Sequence, residues 1–342
     1  MKSNPTPPAG ANPPMPLPAE MSAITAAAPG GPEVLRLARL PVPVPGPGEV
    51  LIRVVAAGVN APDLAQRAGT YPPPPGASPL LGLEVAGEIV VAAGHWTVGD
   101  MVTALCNGGG YAEYAAVPAG QVLPAPRGWD VADAAALPET WITVTQSLVM
   151  RAGLQPGMSV LVTGAAGGIG GAAIQISRLL GATPIALVSS AEKAAYVLGL
   201  GAHAAIRHDS EDVAARVREL TGGKGVDRIV DMIGGATTRR NVELLARFGH
   251  LVQVATLGER DADIPLNRLV ANQLTLSGST LRPQTAETKA AIVAHLRQHF
   301  WPALADPALP RPKIRRFALA EAADAHRAMA ERGHYGKIVL LT

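Results

Sequence analysis

Apolar positions along the chain change their period near residue 130. Before it they come in short runs, at 50–55, 85–91, 100–105 and 111–117, set apart by Pro and Gly. Runs of this kind, bounded by turn-forming residues, predict the strands of a compact β-rich unit. The stretch 131–149 has helical spacing. After it, apolar strand-like runs at 159–163, 184–189, 226–232, 249–255 and 273–277 alternate with helical stretches at 168–180, 191–200, 212–220 and 237–245. Such alternation predicts a parallel sheet covered on both faces, because parallel neighbours need a crossover connection. The fold class is therefore α/β, with a doubly wound sheet. A helix over 285–301, a strand at 314–318, a helix over 319–331 and a last strand at 337–341 follow. This order places an α/β domain, residues 145–281, inside a discontinuous β-rich domain made of 21–144 and 282–342.

Composition changes this picture little. The 342 residues are 48% hydrophobic and 16% charged, with a net charge of +2. Core material is ample, and the charge balance argues against a nucleic-acid or anionic-membrane partner. A single cysteine, Cys106, excludes an internal disulfide framework and any zinc site built from several cysteines, which fits a reducing, cytoplasmic setting. Residues 1–20 hold seven prolines and one basic residue, Lys2. Prolines break the apolar helix that a secretory signal needs, so this segment is expected to be a disordered extension, with Met21 as an alternative start. The 26 uncharged residues between Arg151 and Arg178 exceed a bilayer's thickness, but five glycines lie in the middle. They read as strand, turn and helix.

That turn carries the clearest chemistry. An apolar strand at 159–163 runs into Gly164, Ala165, Ala166, Gly167, Gly168, Ile169 and Gly170, and then into a helix. Small residues let backbone approach a pyrophosphate, and a helix N-terminus aims N–H groups at it. The spacing is G-x-x-G-x-x-G, looser than the dinucleotide fingerprint, and the strand–turn–helix setting supplies the specificity. At the end of the next strand an acid would bind a ribose 2′-hydroxyl and select NAD. Here Ser189 and Ser190 stand there, with Lys193 following and Glu192 displaced by two positions. Hydroxyls and a lysine suit a 2′-phosphate, so NADPH is the expected cofactor.

These landmarks together resemble the medium-chain dehydrogenase/reductase superfamily, in its zinc-free quinone oxidoreductase (zeta-crystallin-like) branch. The matching pieces lie at 29–35, 47–51, 58–60 with Asp63, Arg67, Gly69 and Tyr71, then 82–87, 98–100, 137–143, 231–235 and 336–340. Zinc-using members would have cysteine at Asn60 and histidine at Leu83; neither residue here is a suitable ligand. His295 and His299 are four apart on a helix, but Leu296 replaces the glutamate of a zinc-protease motif.

The resemblance implies a Rossmann-type domain inserted into a GroES-like one, and hydride transfer from NADPH to a quinone or enone without a metal ion. It implies a cleft with Tyr71, Asn60 and Asp63 as catalytic candidates. It also implies cofactor contacts from Thr143, Ala166, Gly167, Gly168, Ile169, Ser189, Ser190, Lys193, His208, Ile233, Gly234, Ala255 and Lys337. His208, beside Arg207, replaces a tyrosine that relatives place against the 2′-phosphate. Two rival readings stay open: reduction of a 2-alkenal or enoyl double bond, and a non-enzymatic NADPH-binding structural or RNA-binding role. The apolar segment 274–279 is the expected edge through which a homodimer forms.

Overall fold

The computed structural model of the chain describes residues 17–342. Strands β1 (Glu20–Ala26) and β2 (Leu35–Pro41) pair as an antiparallel ribbon. The sheet beside it uses β3 (Glu49–Val59), β4 (Glu84–Val91), β5 (Met101–Leu105), β6 (Tyr114–Pro118) and β7 (Val122–Pro124). Between β3 and β4 lies the short helix α1 (Ala61–Arg67), and after β7 come α2 (Val131–Ala134) and α3 (Pro138–Val144).

The α/β part then follows in strict alternation. It comprises β8 (Ser159–Val162), α4 (Gly168–Leu179), β9 (Thr183–Val188), α5 (Ala191–Leu200), β10 (Ala204–Arg207) and α6 (Val213–Leu220). It continues through β11 (Val226–Asp231), α7 (Ala236–Glu243), β12 (Leu245–Gln253), α8 (Leu266–Asn272) and β13 (Thr275–Gly278). All neighbours are parallel, in the order β10-β9-β8-β11-β12-β13. The order reverses between β8 and β11, and in such sheets ligands bind where it does. Side chains such as Val160, Leu161, Ile185 and Ile229 are buried, as expected for strands with helices on both faces.

Helices α9 (Ala286–His299) and α10 (Ala322–Ala330) and strands β14 (Ile314–Ala318) and β15 (Lys337–Leu341) complete the chain. The last two return to the first sheet, whose order is β14-β15-β3-β4-β5-β7 with β6 also on β3. Strand β15 runs antiparallel to β3 with Ile338 opposite Val59, which sets Lys337 beside Asn60.

Several expectations need correction. Strand β1 starts at Glu20, paired with Pro41, so folded structure begins inside the segment assigned to the extension; residues 1–16 of that segment lie outside the described residues. The single helix expected over 131–149 is instead α2, α3 and a π-helical turn at Thr145–Arg151. Pro138 has no N–H to continue α2 and begins α3 in its place. Only the second half of the run at 111–117 joins β6, because Ala112 bridges to Ala23 of the ribbon. Strand β10 is too short to show a period in sequence. The uncharged stretch after Arg151 does form strand, turn and helix, and no helix among the described residues is long and apolar enough to cross a membrane.

Candidate active site

The turn after β8 opens into two adjoining cavities of about 390 and 230 Å³, which share Gly164, Gly167 and His334. Gly164 has φ +55°, a conformation that side chains with a Cβ rarely adopt. A Cβ on Gly170 would overlap the Ala165 backbone, so glycine there lets α4 close on the turn. Helix α4 has no side-chain cap at Gly167, and its first N–H groups are left for a ligand. Across the turn, buried Asp231 shapes the loop after β11. One of its oxygens accepts from Thr163 Oγ1 (2.9 Å) and Ile233 N (2.8 Å), the other from Asn241 Nδ2 (2.9 Å).

Ala166, Gly167, Ser189, Lys193, His208 and Ile233 line the larger cavity. Lys193 Nζ donates to Ser189 Oγ (3.3 Å) and to the Arg332 carbonyl (2.8 Å). Glu192, the acid that could have favoured NAD, does not line this cavity and accepts from the Tyr335 hydroxyl at 2.6 Å. Two of the expected cofactor residues, Ser190 and Gly234, do not line this cavity. Ser190 caps α5 by accepting from Lys193 N and stays outside the cavity. Arg207, next to His208, pairs with Asp209. Gly234 lines a different hollow. Arg240 and His334, which sequence reasoning did not single out, line the cavity instead. Burial and the nearby Arg315, Lys337 and Lys193 push His334 down to about 4, so its imidazole is neutral at pH 7.

Thr143, Gly168, Ile169, Ala255, Lys337, Asn60 and Tyr71 line the smaller, largely apolar cleft. Beneath it lies a buried polar network. Lys337 Nζ donates to Glu84 Oε1 (2.6 Å) and Asn60 Oδ1 (2.6 Å), and Asn60 Nδ2 donates to Glu84 Oε1 (2.8 Å). Glu84 Oε2 accepts from Glu139 N (2.9 Å), which ties β4 to α3. Both side-chain polar atoms of Asn60 are thus engaged within the protein. Asp63 does not line the cleft; its carboxyl accepts from Asn60 N (2.9 Å) and Gly82 N (3.0 Å) and holds the backbone behind Asn60. Burial raises it to about 6 against those two bonds. The expectation that Asp63 joins the chemistry is therefore corrected: two backbone donors consume it.

Three polar groups that sequence reasoning gave no role do face the cleft. Glu139 lines it half-buried, and burial with the charges of Glu84 and Asp63 raises its carboxyl to about 8. Arg282 lines it with its guanidinium against the Tyr71 ring. Ser279 presents a buried hydroxyl with no hydrogen-bond partner. The signal for Glu139 was readable, since it is the only charge between Asp133 and Arg151.

A nicotinamide dinucleotide fits this arrangement. The uncapped N-terminus of α4 suits its pyrophosphate, the unpartnered Ser279 hydroxyl waits in the cleft, and the two joined cavities follow its length. No group of three or more His, Cys, Asp or Glu is placed to hold a metal ion among the described residues.

Comparison with known proteins agrees with the geometry. Family models match over residues 46–127 (alcohol dehydrogenase GroES-like domain) and 168–296 (zinc-binding dehydrogenase). The chain is 32% identical to a quinone oxidoreductase of Homo sapiens, covering 91% of this chain and 95% of that protein. It is 33% identical to a 2-haloacrylate reductase of Burkholderia sp, covering 91% and 96%. The crystal structure of Escherichia coli quinone oxidoreductase complexed with NADPH superposes with a TM-score of 0.82 at 26% identity, covering 94% of this chain and all of that one. The chain belongs to the medium-chain dehydrogenase/reductase superfamily, in its zeta-crystallin-like quinone oxidoreductase branch, and is an oxidoreductase that uses a nicotinamide cofactor.

Proposed function

We propose that this enzyme is an NADPH-dependent reductase that delivers hydride to a quinone or another conjugated carbonyl, without a metal ion. The observation that carries the reading is the continuity of the two cavities, from the uncapped helix at the glycine turn to an apolar cleft with Glu139 and Tyr71 in its wall. The bound cofactor supplies the hydride. The protein's own work is positional. Thr143, Ala255 and Met232 wall the cleft and exclude water, while the Lys337–Glu84–Asn60 network holds β15, β4 and α1 together beneath it. Glu139 donates the proton that the reduced acceptor needs, and Tyr71 orients the acceptor oxygen. Turnover of a naphthoquinone, a 2-alkenal and a crotonyl thioester with NADPH tests the reading. The naphthoquinone should be reduced fastest; tight NADPH binding with no turnover would favour a non-enzymatic role.

The choice of NADPH over NADH rests on Ser189, Lys193 and His208 in the cavity and on Glu192 being held outside it. A charge-assisted contact of this kind is worth roughly ten- to a hundred-fold in affinity. NADPH should therefore bind at least ten-fold more tightly than NADH, and Lys193→Ala should bring the two within a few-fold. Equal affinities in the unmodified protein would remove this assignment.

We also propose a homodimer through β13, the last strand of the parallel sheet, whose outer edge is unpaired among the described residues. Leu266 and Val270, one turn apart on α8 just before it, are 68% and 73% exposed. An open edge beside exposed apolar side chains invites a partner copy. Light scattering should give twice the 35.1 kDa chain mass, and Leu266→Asp with Val270→Asp should give the single chain. A monomer before substitution would contradict the proposal.

A further inference from the structure

Arg282 is 6% exposed and Lys289 is 2% exposed, and neither has a carboxylate partner among the described residues. Arg282 Nη2 donates to Gln66 Oε1 (2.7 Å) and to the Asn107 carbonyl (3.2 Å), while Nε and Nη1 have no partner. Its guanidinium lies over the Tyr71 ring, 5.5 Å from the centroid. Lys289 Nζ stands behind it, bonded to Asn107 Oδ1 and, at 2.7 Å, to the Arg282 carbonyl. Burying a cation without a counter-charge is costly, and here two cations are buried together. Burial pulls both below their ordinary pKa, although a guanidinium keeps its charge throughout the working range. Glu139 is the cleft carboxyl whose field reaches both. It is itself held protonated at neutral pH by burial, Glu84 and Asp63, against the smaller pull of Lys337 and Lys289.

We propose that Arg282, backed by Lys289, is an anion-binding subsite in the acceptor cleft, and that the acceptors this enzyme holds best are conjugated acids bearing a carboxylate. The proposal rests on the hydride-transfer reading above and specifies its substrate class. Nη2 spends its protons on Gln66 and Asn107, so a carboxylate oxygen would take a single charge-assisted hydrogen bond from Nε or Nη1. An ionised 2-enoic acid is by itself a poor hydride acceptor, because its charge opposes another electron pair. A buried cation on the carboxylate offsets that charge and makes the β-carbon electrophilic. The hydride, with its electron pair, forms the new C–H bond at the β-carbon. The π pair of the double bond moves to the α-carbon and takes the Glu139 proton, forming the second C–H bond. The product is the saturated acid, the nicotinamide is oxidised, and the Glu139 carboxylate regains a proton from water.

Binding to the holoenzyme carrying oxidised cofactor, where no reaction can occur, tests the subsite directly. Calorimetry should show crotonate binding about ten- to a hundred-fold more tightly than crotonamide, with the difference lost in Arg282→Gln. Equal binding of acid and amide to the unmodified protein overturns the proposal, as does an undiminished preference in a folded Arg282→Gln protein. If that variant does not fold once its Gln66 and Asn107 contacts are lost, the acid–amide comparison in the unmodified protein decides alone. Turnover with the reduced cofactor separates this inference from its premise. Reduction of a naphthoquinone without preference for the acid sinks the subsite and leaves hydride transfer standing. Tight crotonate binding with no acceptor reduced supports the subsite and sinks hydride transfer.

Discussion

Lys337→Met should lower the free energy of unfolding by about 3–5 kcal/mol, because it strands a buried carboxylate. Glu84 is fully buried, and Lys337 Nζ lies 2.6 Å from its Oε1. Removing the ammonium also orphans Asn60 Oδ1, which accepts from the same group. The loss falls toward the lower end of that range, since Asn60 Nδ2 and Glu139 N still donate to Glu84. The double variant Lys337→Met, Glu84→Gln should recover part of it, because an amide in place of the carboxylate carries no charge to strand. Denaturant unfolding of the single and double variants measures both effects. A loss below about 1 kcal/mol in the single variant would show that the pair is not coupled to folding as its burial requires.

Glu139→Gln should reduce kcat by about a hundred-fold or more with an enone or unsaturated acid, and less with a quinone, whose product oxygen can take a proton from water. KM should change little, since the amide keeps the shape of the side chain. The pH dependence gives the sharper test. Burial and the charges of Glu84 and Asp63 raise Glu139 from 4.5 to about 8, so the proton-donating form prevails at neutral pH. Activity of the unmodified enzyme should therefore fall as pH rises through about 8, and that step should be missing from the variant. Stability follows the same sign. The folded state holds this proton more tightly than the unfolded chain, so the contribution is complete below about 4.5 and is lost as pH rises to about 8. In that window the stability of Glu139→Gln should vary less with pH than that of the unmodified protein. An unchanged kcat profile would remove Glu139 from the chemistry.

Much of the molecule was legible before any coordinates. The strand–glycine–helix run predicted β8, its turn and α4, because the apolar period and the small residues at that turn are local properties of the backbone. Ser189, Lys193 and His208 line the cavity beside that turn because Ser189 follows β9, Lys193 lies in the first turn of α5 and His208 follows β10, and parallel topology puts those strand ends on one side of the sheet. The helix expected over 131–149 was misread because Pro138 interrupts a pattern whose apolar spacing runs through it unchanged. Asp63 was misassigned because a carboxylate near a cleft looks the same in sequence whether it faces substrate or two backbone donors.

By itself, then, the sequence determined the alternation of strands and helices, the insertion of one domain into another, and the glycine-rich turn between β8 and α4, since each follows from spacing along the backbone. Only the tertiary structure decided the charge state and company of the cleft residues. Arg282 meets Gln66 and Asn107, Lys337 meets Glu84, and Glu139 is desolvated beside Glu84 and Asp63, all across long separations in the chain. Whether a cation is neutralised, or a carboxyl keeps its proton, depends on what packs around it. Neighbours in space set that, and a one-dimensional pattern carries no record of them.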